Sequence, residues 1–472
     1  ERAPAAAEGD ARELLGGGAN GAANGGAAQL ERVALPSATN GRFVLPTPRQ
    51  YSRQYAQVYF SRLMAQRAPL EAAANAAGWQ SHAKKKRVVD LASAIGEECY
   101  ITGTLFKNMK LQPRILDEYL KDGGLSTGAA KPDSYVGDDD TIVLEEETGR
   151  VALVGSAVET ERLVTGVVAT ARGKVNAKGE FVVEEMLFPG VPKQKPRPME
   201  EGEASYIALV SGLGVGSPSS NPLAASLLVD FLTGQLGSAE EQKLCSRIAR
   251  VIVAGNSLCV PEASAQGSGR GGGGMAAREA AKLGAPLAEL DLLLAELASA
   301  VPIDLMPGES DPANVALPQQ PMHSALFPRA STYSTYRPVT NPYTADVGGV
   351  SIVGTSGQAL DDLSKFTKGV SRLELLEATL RWRHLAPTAP DSLASYPYSD
   401  EDPFVVQDSP HVYFAGNQRQ FDTKLVEGVR LVCVPDFATT GQIVLVNTHT
   451  LECRLMEWSV DGAAAPENNA AA

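Results

Sequence analysis

Residues 206–216 read YIALVSGLGVG, an apolar run that enters a turn with glycine at every second position. The apolar run favours a buried strand, and the glycines indicate a tight turn after it. A segment with helical spacing follows at residues 225–237 (ASLLVDFLTGQLG), and then a second apolar strand at residues 247–256 (RIARVIVAGN). This strand–helix–strand order predicts a layered α/β domain.

The alternation continues along the chain. Residues 286–301 (PLAELDLLLAELASAV) have the spacing of another helix, and residues 301–312 (VPIDLMPGESDP) predict a third strand with its loop. Shorter strands follow beyond Tyr333, for example GVSIVGTS (349–356) and HVYFAGN (411–417). A sheet sandwiched by helices accounts for all of these segments.

Composition divides the rest of the chain. We assign residues 200–460 to the α/β domain, with a flexible insert at 266–274 (QGSGRGGGG) and a flexible tail at 461–472. Residues 1–45 are rich in Ala, Gly and Asn and are predicted to be disordered. Residues 46–91 are predicted to be an N-terminal helical segment, because apolar residues fall near helical spacing. These residues are Tyr51, Tyr55, Val58, Tyr59, Leu63 and Leu70.

Residues 92–190 carry short segments rich in β-branched residues, separated by turns. Five strands within about 100 residues predict a five-stranded barrel of the oligonucleotide-binding (OB) class. A proline-rich stretch at 189–198 (PGVPKQKPRP) then indicates a stiff linker. The strand segments are CYITGTLF (99–106), TIVLEEE (141–147), VALVGS (151–156), LVTGVVATARGKV (163–175) and EFVVEEMLF (180–188).

The overall charge argues against a nucleic-acid clamp. The 472 residues carry a formal net charge of −13, whereas nonspecific phosphate binding needs a positive excess.

No apolar run approaches the roughly 18 residues that span a bilayer. The five cysteines form no C-x-x-C pair, so neither a disulfide framework nor a zinc knuckle is predicted.

The loops after the predicted strands are where a catalytic site of an α/β sheet is expected. They lie at residues 211–214, 255–259, 307–311 and 416–419. Their spacing resembles that of the calcineurin-like metallophosphoesterases, whose loops carry the patterns D-x-H, G-D-x-x-D, G-N-H-D/E and G-H-x-H. The resemblance implies an αββα phosphoesterase sandwich after the OB barrel, and so a two-domain chain that is all-β and then α/β.

The ligands of that family are missing from these loops. A two-metal hydrolytic site needs a bridging carboxylate and several His or Asp ligands. Glycine offers no ligand, and Arg419 would repel a cation, so the resemblance implies an inactive domain without metal or other cofactor. The vestigial positions are Gly212, Gly214, Asn256, Cys259, Glu309, Ser310, Asp311, His384, Asn417 and Arg419.

Longer sequence segments resemble those of a narrower family, the second (small regulatory) subunits of eukaryotic DNA polymerase delta. The similarity runs from about Tyr51 to Trp458, and the Pro-Gln-Gln-Pro phrase favours the delta family over the alpha and epsilon families. The words are SRQYAQVYFSRL (52–63), ITGTLFKNMKLQP (101–113), LVSGLGVG (209–216), LLVDFLTGQLG (227–237), VPIDLMPGESDPANVALPQQPMHSALFP (301–328), VTNPY (339–343), VGTSGQ (353–358), LRWRHLAPTAPDSLASYP (380–397) and PHVYFAGN (410–417).

This resemblance implies a noncatalytic accessory subunit of the nuclear polymerase delta complex, acting in DNA replication and repair. It implies two partners, namely the C-terminal metal-binding module of the catalytic subunit and the N-terminal domain of a third subunit. The sliding clamp and DNA would be reached indirectly, and no membrane is involved. The sequence leaves unknown which residues bind each partner.

Two rival functions and two local ambiguities stay open from the residues alone. An active phosphoesterase or nuclease with an altered metal site could use Asp304, Glu309, Asp311 and His384, whereas a single-strand DNA-binding module would rely on the barrel. The other histidines are expected to be structural. Residues 83–87 (AKKKR) fit either a nuclear import signal or a solvated turn.

Overall fold

The computed structural model describes residues 30–113, 133–197, 203–259 and 274–458. The chain is mixed α/β, as predicted, and its described residues from Arg32 to Trp458 belong to one compact unit. The predicted flexible tail at 461–472 and residues 266–273 of the insert lie outside the described residues. None of the described helices has the length and apolarity that a membrane span requires.

The barrel domain is a six-stranded sheet in the order β2-β3-β4-β5-β7-β6, closed by pairing between β3 and β6. Strands β5 and β7 pair in parallel and the other neighbours within the closed ring pair antiparallel. The strands are β2 (Lys84–Lys85), β3 (Glu98–Asn108), β4 (Thr141–Glu146), β5 (Gly149–Val154), β6 (Val168–Val175) and β7 (Phe181–Leu187).

The two-sheet domain contains two further six-stranded sheets, in the orders β11-β10-β9-β8-β17-β18 and β1-β12-β13-β14-β16-β15. In the first, β8 to β11 are parallel; in the second, β13, β14 and β16 are parallel. The strands are β1 (Ser37–Ala38), β8 (Tyr206–Val210), β9 (Ile248–Ala254), β10 (Ile303–Met306), β11 (Tyr336–Pro338), β12 (Tyr343–Val347), β13 (Val350–Thr355), β14 (Val412–Gln418), β15 (Asp422–Val426), β16 (Val429–Pro435), β17 (Gln442–Asn447) and β18 (Cys453–Glu457).

Local sequence explains where several helices begin. Asn221 accepts hydrogen bonds from two backbone amides at the start of the second helix, which has proline at its first position. Ser238 and Ser371 each begin a helix with a capping box. The helices are α1 (Ala56–Ala76), α2 (Pro222–Thr233), α3 (Ala239–Ser246), α4 (Gly274–Ala300), α5 (Gln358–Phe366), α6 (Arg372–Arg381) and α7 (Phe437–Thr440), with 3-10 turns at Trp79–Ser81, Val88–Ser93, Ser324–Leu326 and Ala330–Thr332.

Three hydrophobic cores hold these layers. One lies between the two sheets and contains Ile252 from the first and Phe414 from the second. Another joins the outer face of the first sheet to α2 and α4. The third is shared between domains, because Leu105 of the barrel belongs to the same cluster as Leu376 of α6. The barrel is thus packed directly on the two-sheet domain.

The predicted disordered tail was too long. Residues 32–45 form an ordered strap: Arg32 donates to the carbonyls of Leu232 at 2.6 Å and Cys245 at 2.9 Å, and β1 pairs with β12. Phe43 is 1% exposed and stacks on Phe404. The apolar residues of the strap occur in two short runs, 33–36 and 43–45, without helical or strand periodicity, so the local sequence gave no sign of the tertiary contacts that order them. Residues 1–29 lie outside the described residues.

Three local predictions need correction. Helix α1 begins at Ala56, so Tyr51 and Tyr55 precede it, and both are exposed. The basic segment at residues 83–87 is not a simple turn, because Lys84 and Lys85 form β2, paired with β3. Gly274, assigned to the flexible insert, is the first residue of α4.

Candidate functional site

The carboxyl ends of the parallel strands meet at one edge of the two-sheet domain. The Ser211 hydroxyl, after β8, donates to the Pro435 carbonyl of β16 at 2.9 Å and accepts from the Asn417 amide of β14 at 2.9 Å. The Asn417 side chain donates to the carbonyls of Ser356 at 2.7 Å and Ala254 at 3.2 Å. We call these joined loops the strand-end cluster.

Glycine is required at the first loop of the cluster. Gly212 and Gly214 have φ of +64° and +57°, a left-handed conformation that favours glycine. A Cβ atom at Gly212 would lie 2.5 Å from Asp436 Oδ2 and 2.8 Å from Asn417 Oδ1. The space that an aspartate side chain would need at position 212 is therefore occupied.

An amide network that the sequence did not reveal fills the centre of the cluster. Asn341 Nδ2 lies within hydrogen-bonding distance of three acceptors, which share its two N–H groups: Gln319 Oε1 at 2.8 Å, Ser356 Oγ at 2.7 Å and Gln358 Oε1 at 2.8 Å. Gln319 in turn donates to the Gly308 carbonyl at 2.9 Å. The phrases PQQP, VTNPY and VGTSGQ contain these residues, but one-dimensional spacing gave no sign that they converge.

Asp311 orders two of the loops. Its Oδ1 accepts from the Leu258 amide at 2.9 Å and its Oδ2 from the Gly308 amide at 2.8 Å. Burial raises the pKa of Asp311 to about 6, against the effect of the backbone donors. Both carboxylate oxygens thus accept backbone hydrogen bonds, and these bonds hold the loops after β9 and β10 together.

The remaining loop positions divide between the strand-end cluster and the surface. Ser310 donates through its amide to Asn256 Oδ1 at 3.2 Å, and the Cys259 amide donates to the Val215 carbonyl at 3.0 Å. The side chains of Glu309 and Arg419 are exposed. The cluster brings together Gly212, Asn256, Ser310, Asp311 and Asn417 of the predicted positions, and it leaves Glu309 and Arg419 at the surface.

His384 has a different environment. It is 1% exposed, and its Nε2 lies 2.8 Å from Asp402 Oδ2 while its Nδ1 accepts from the Ala386 amide at 3.2 Å. Burial, with a contribution from the Arg62 charge, lowers the pKa of His384 to about 4. Its hydrogen-bond partners therefore belong to residues 379–402 and not to the strand-end cluster.

Asp304, the carboxylate that an altered metal site would need, is engaged elsewhere. It is 0% exposed, and its Oδ1 accepts from Arg250 and Arg337 at 2.7 Å each. The Tyr343 hydroxyl also donates to it. Asp304, Glu309, Asp311 and His384 consequently do not form one site.

Apart from the Asp311 carboxylate, whose two oxygens accept backbone amides, the strand-end cluster consists of amide, hydroxyl and backbone groups. The Asp436 carboxylate borders the cluster beside Gly212. Its Oδ1 caps α7 by accepting from the Thr439 amide at 3.1 Å. Within the described ranges, no group of three or more His, Cys, Asp or Glu side chains could hold a metal ion. This donor set supplies neither a bridging carboxylate nor histidine ligands.

Comparison with known proteins gives two family matches. Residues 54–186 match the model of the DNA polymerase delta subunit OB-fold domain, and residues 207–423 match the model of the alpha/epsilon DNA polymerase B-type subunits. The DNA polymerase delta small subunit of Arabidopsis thaliana is 45% identical over 89% of this chain and 94% of its own length. The small subunit of Oryza sativa is 42% identical over 89% of this chain and 96% of its own length. That of Saccharomyces cerevisiae is 32% identical over 79% of this chain and 81% of its own length.

Proposed function

Because the chain belongs to the family of DNA polymerase delta small subunits, which are accessory subunits of that complex, we propose that it acts there as a noncatalytic scaffold. It bridges the C-terminal module of the catalytic subunit and the N-terminal domain of the third subunit. By holding both, it raises the effective concentration of the polymerase near the arm that leads to the sliding clamp. The site of action is the nucleus, in DNA replication and repair.

The composition of the strand-end cluster is the observation that carries this proposal. Glycine at position 212 and amides at positions 256, 341 and 417 occupy the edge where a phosphoesterase would place acidic and histidine ligands. A hydrolytic site would have to assemble from residues that are already hydrogen-bonded to one another. We therefore interpret the two sheets and their outer helices as an inactive αββα phosphoesterase sandwich, and the closed sheet as a five-stranded OB barrel with β2 added at its edge.

A second support is the junction between the domains. Phe188, at the end of the barrel, packs its ring 6.2 Å from that of Trp382, and Lys107 of β3 donates to the Phe366 carbonyl at 2.6 Å. Partners that bind different domains would thus be held in a fixed relation. A scaffold of this kind is useful only if it does not bend freely.

Coexpression tests the proposal. The full chain, the C-terminal region of the catalytic subunit and the N-terminal domain of the third subunit should coelute as a stoichiometric complex. The chain alone should be aggregation-prone despite its charge, because a stable interface buries on the order of 800 Å² per partner that the isolated chain leaves exposed. A monodisperse chain that ignores both partners, together with metal-dependent phosphodiester hydrolysis, would instead favour the active phosphoesterase.

A further inference from the structure

Arg62 of α1 is a buried cation that touches three separate parts of the chain. Its side chain is 0% exposed, and its Nε donates to Asp402 Oδ2 at 2.8 Å. Its Nη1 donates to the Gly166 carbonyl of the barrel at 3.0 Å and to the Pro387 carbonyl of the two-sheet domain at 2.7 Å. Its Nη2 donates to the Ala389 carbonyl at 2.6 Å. One guanidinium therefore holds backbone from both domains.

Gly166 brings the two backbones together at this point. It has φ of +86°, and a Cβ atom there would collide with the Pro387 carbonyl and lie 2.7 Å from Arg62 Nη1. The amide of Gly166 also donates to the Leu105 carbonyl of β3 at 2.8 Å, which ties the contact to the barrel wall. At Gly166 the backbones of the two domains therefore lie against each other, and no side chain would fit between them.

The charges at this contact are fully paired. Asp402 receives Arg62 and His384 on Oδ2, and the Phe404 amide donates to Oδ1 at 3.0 Å. Although burial opposes ionisation, His384 and Arg62 hold the pKa of Asp402 well below its usual range. A satisfied buried network of this kind fixes geometry more strictly than apolar packing, which is not directional.

The domains touch again at a second contact that does not include Arg62. The Tyr135 amide of the barrel domain donates to the Lys365 carbonyl at 2.8 Å, and the Lys368 amide donates to the Glu161 carbonyl of the barrel domain at 3.0 Å. These two amides report the relation between the domains, because each bond joins one domain to the other. None of the Arg62 bonds reaches either of them.

We propose that Arg62 is a positioning residue that locks the barrel and the two-sheet domain in one orientation, so that the bonds at the second contact depend on it. The shared hydrophobic core keeps the domains together, and the Arg62 fork sets the angle between them. The consequence for assembly rests on the proposed scaffold function: a chain without the lock presents its two partner surfaces in a variable relation.

Hydrogen–deuterium exchange on the full chain alone, diluted until size-exclusion chromatography shows a monomer, tests the lock. In Arg62→Met, the Tyr135 and Lys368 amides should exchange at least about tenfold faster, while β9 amides such as that of Val251 keep their protection. Arg62→Lys should behave like Arg62→Met, because a single ammonium cannot reproduce the planar fork. Arg67→Met is the matched control, since Arg67 lies on the same helix in a half-exposed pair with Glu147.

Two outcomes would overturn the proposal. Faster exchange confined to the Gly166 and Ala389 amides would make Arg62 a local contact, and uniform acceleration that includes β9 would make it a general stability residue. If Arg62→Met does not fold, Gly166→Ala decides the question, because it leaves Arg62 intact and displaces the Pro387 carbonyl. The measurement needs no partner, so failure of the scaffold function would leave its result standing.

Discussion

Two buried carboxylates that an altered phosphoesterase site could use, Asp311 and Asp304, are hydrogen-bonded within the fold. Asp311 accepts backbone amides of two loops, and Asp304 joins Arg250 and Arg337 between the sheets. Each of these carboxylates is satisfied by donors that belong to the fold. A buried pair of this type is costly to break, commonly by about 3–5 kcal/mol, because the surviving charge is left without a partner.

His384 makes stability depend on pH. Burial lowers its pKa from 6.5 to about 4, so between these values the unfolded chain binds a proton that the folded chain does not. The stabilisation that neutral, buried His384 gives to the folded chain is fully present above pH 6.5, and it is lost as the pH falls toward 4 because the unfolded chain takes up the proton first. Between about pH 7.5 and about pH 5.5 the free energy of unfolding should therefore fall by about 1.4 kcal/mol through this residue. Protonation of Nδ1 would also place a donor against the Ala386 amide.

Urea unfolding of the full chain and of His384→Gln at both pH values checks this expectation. The variant lacks the titrating group, so its free energy of unfolding should fall by less than that of the parent chain over the same interval. Equal pH dependence in the two proteins would show that His384 binds its proton equally well in the folded and unfolded states.

At the scale of elements, the strap at residues 32–45 has the most consequence. Strand β1 covers the outer edge of β12, and the Gly348 amide donates to the Pro36 carbonyl at 2.9 Å. Ser37 accepts from Arg337 at 2.9 Å, which links the strap to the Asp304 cluster between the sheets. An uncovered sheet edge is a template for pairing with other chains, and β1 occupies this edge where it pairs with Val347 and Asp346.

Phe43 anchors the strap. Replacing it by alanine should lower the free energy of unfolding by about 3–5 kcal/mol, because a buried aromatic leaves a cavity against Phe404. Val44→Ala is the neighbouring control, since Val44 is 56% exposed and should change stability by no more than about 0.5 kcal/mol. Equal effects of the two substitutions in thermal or urea unfolding would mean that the strap does not contribute to the core.

At the scale of the whole molecule, the two domains are packed as one body. The barrel, α1 and the two-sheet domain are joined through the shared hydrophobic cluster and the Arg62 contact. The described part of the segment that connects the domains is held by Gln194, which donates to the carbonyls of Pro410 at 2.8 Å and Gly428 at 2.9 Å. The proline-rich stretch is therefore a docked connection and not merely a stiff spacer.

The donor set of the strand-end cluster, and of the rest of the described ranges, predicts that the purified chain retains no stoichiometric Mn, Fe or Zn. Amide and backbone oxygens without a carboxylate bridge hold such ions weakly compared with the His and Asp sets of hydrolytic centres. Elemental analysis of the chain purified without chelator measures this directly. Two transition-metal ions per chain, with phosphodiester hydrolysis that chelation abolishes, would contradict the prediction.

Much of this protein was already determined by the sequence alone. The apolar runs and glycine turns specified the strand–helix alternation, the β-branched segments specified the barrel, and the words from 301–328 and 380–397 specified the delta small-subunit family. The absence of ligand residues at 212, 214 and 417 was also readable, because a glycine or asparagine lacks the groups that the chemistry needs. These features are local, so spacing and residue type contain them.

Tertiary structure alone decided which distant residues meet. The strap could not be predicted because it is ordered by contacts with residues 200 or more positions away, as in the pairing of Ser37 with Val347 and the bond from Arg32 to the Leu232 carbonyl. Asn341 and Gln319 became the centre of an amide network, and Arg62 became the contact between two domains, through partners that no local pattern announces. Hydrogen bonds between segments far apart in sequence form only after the sheets and helices pack against one another. Local residue patterns in a single sequence do not show which segments will meet.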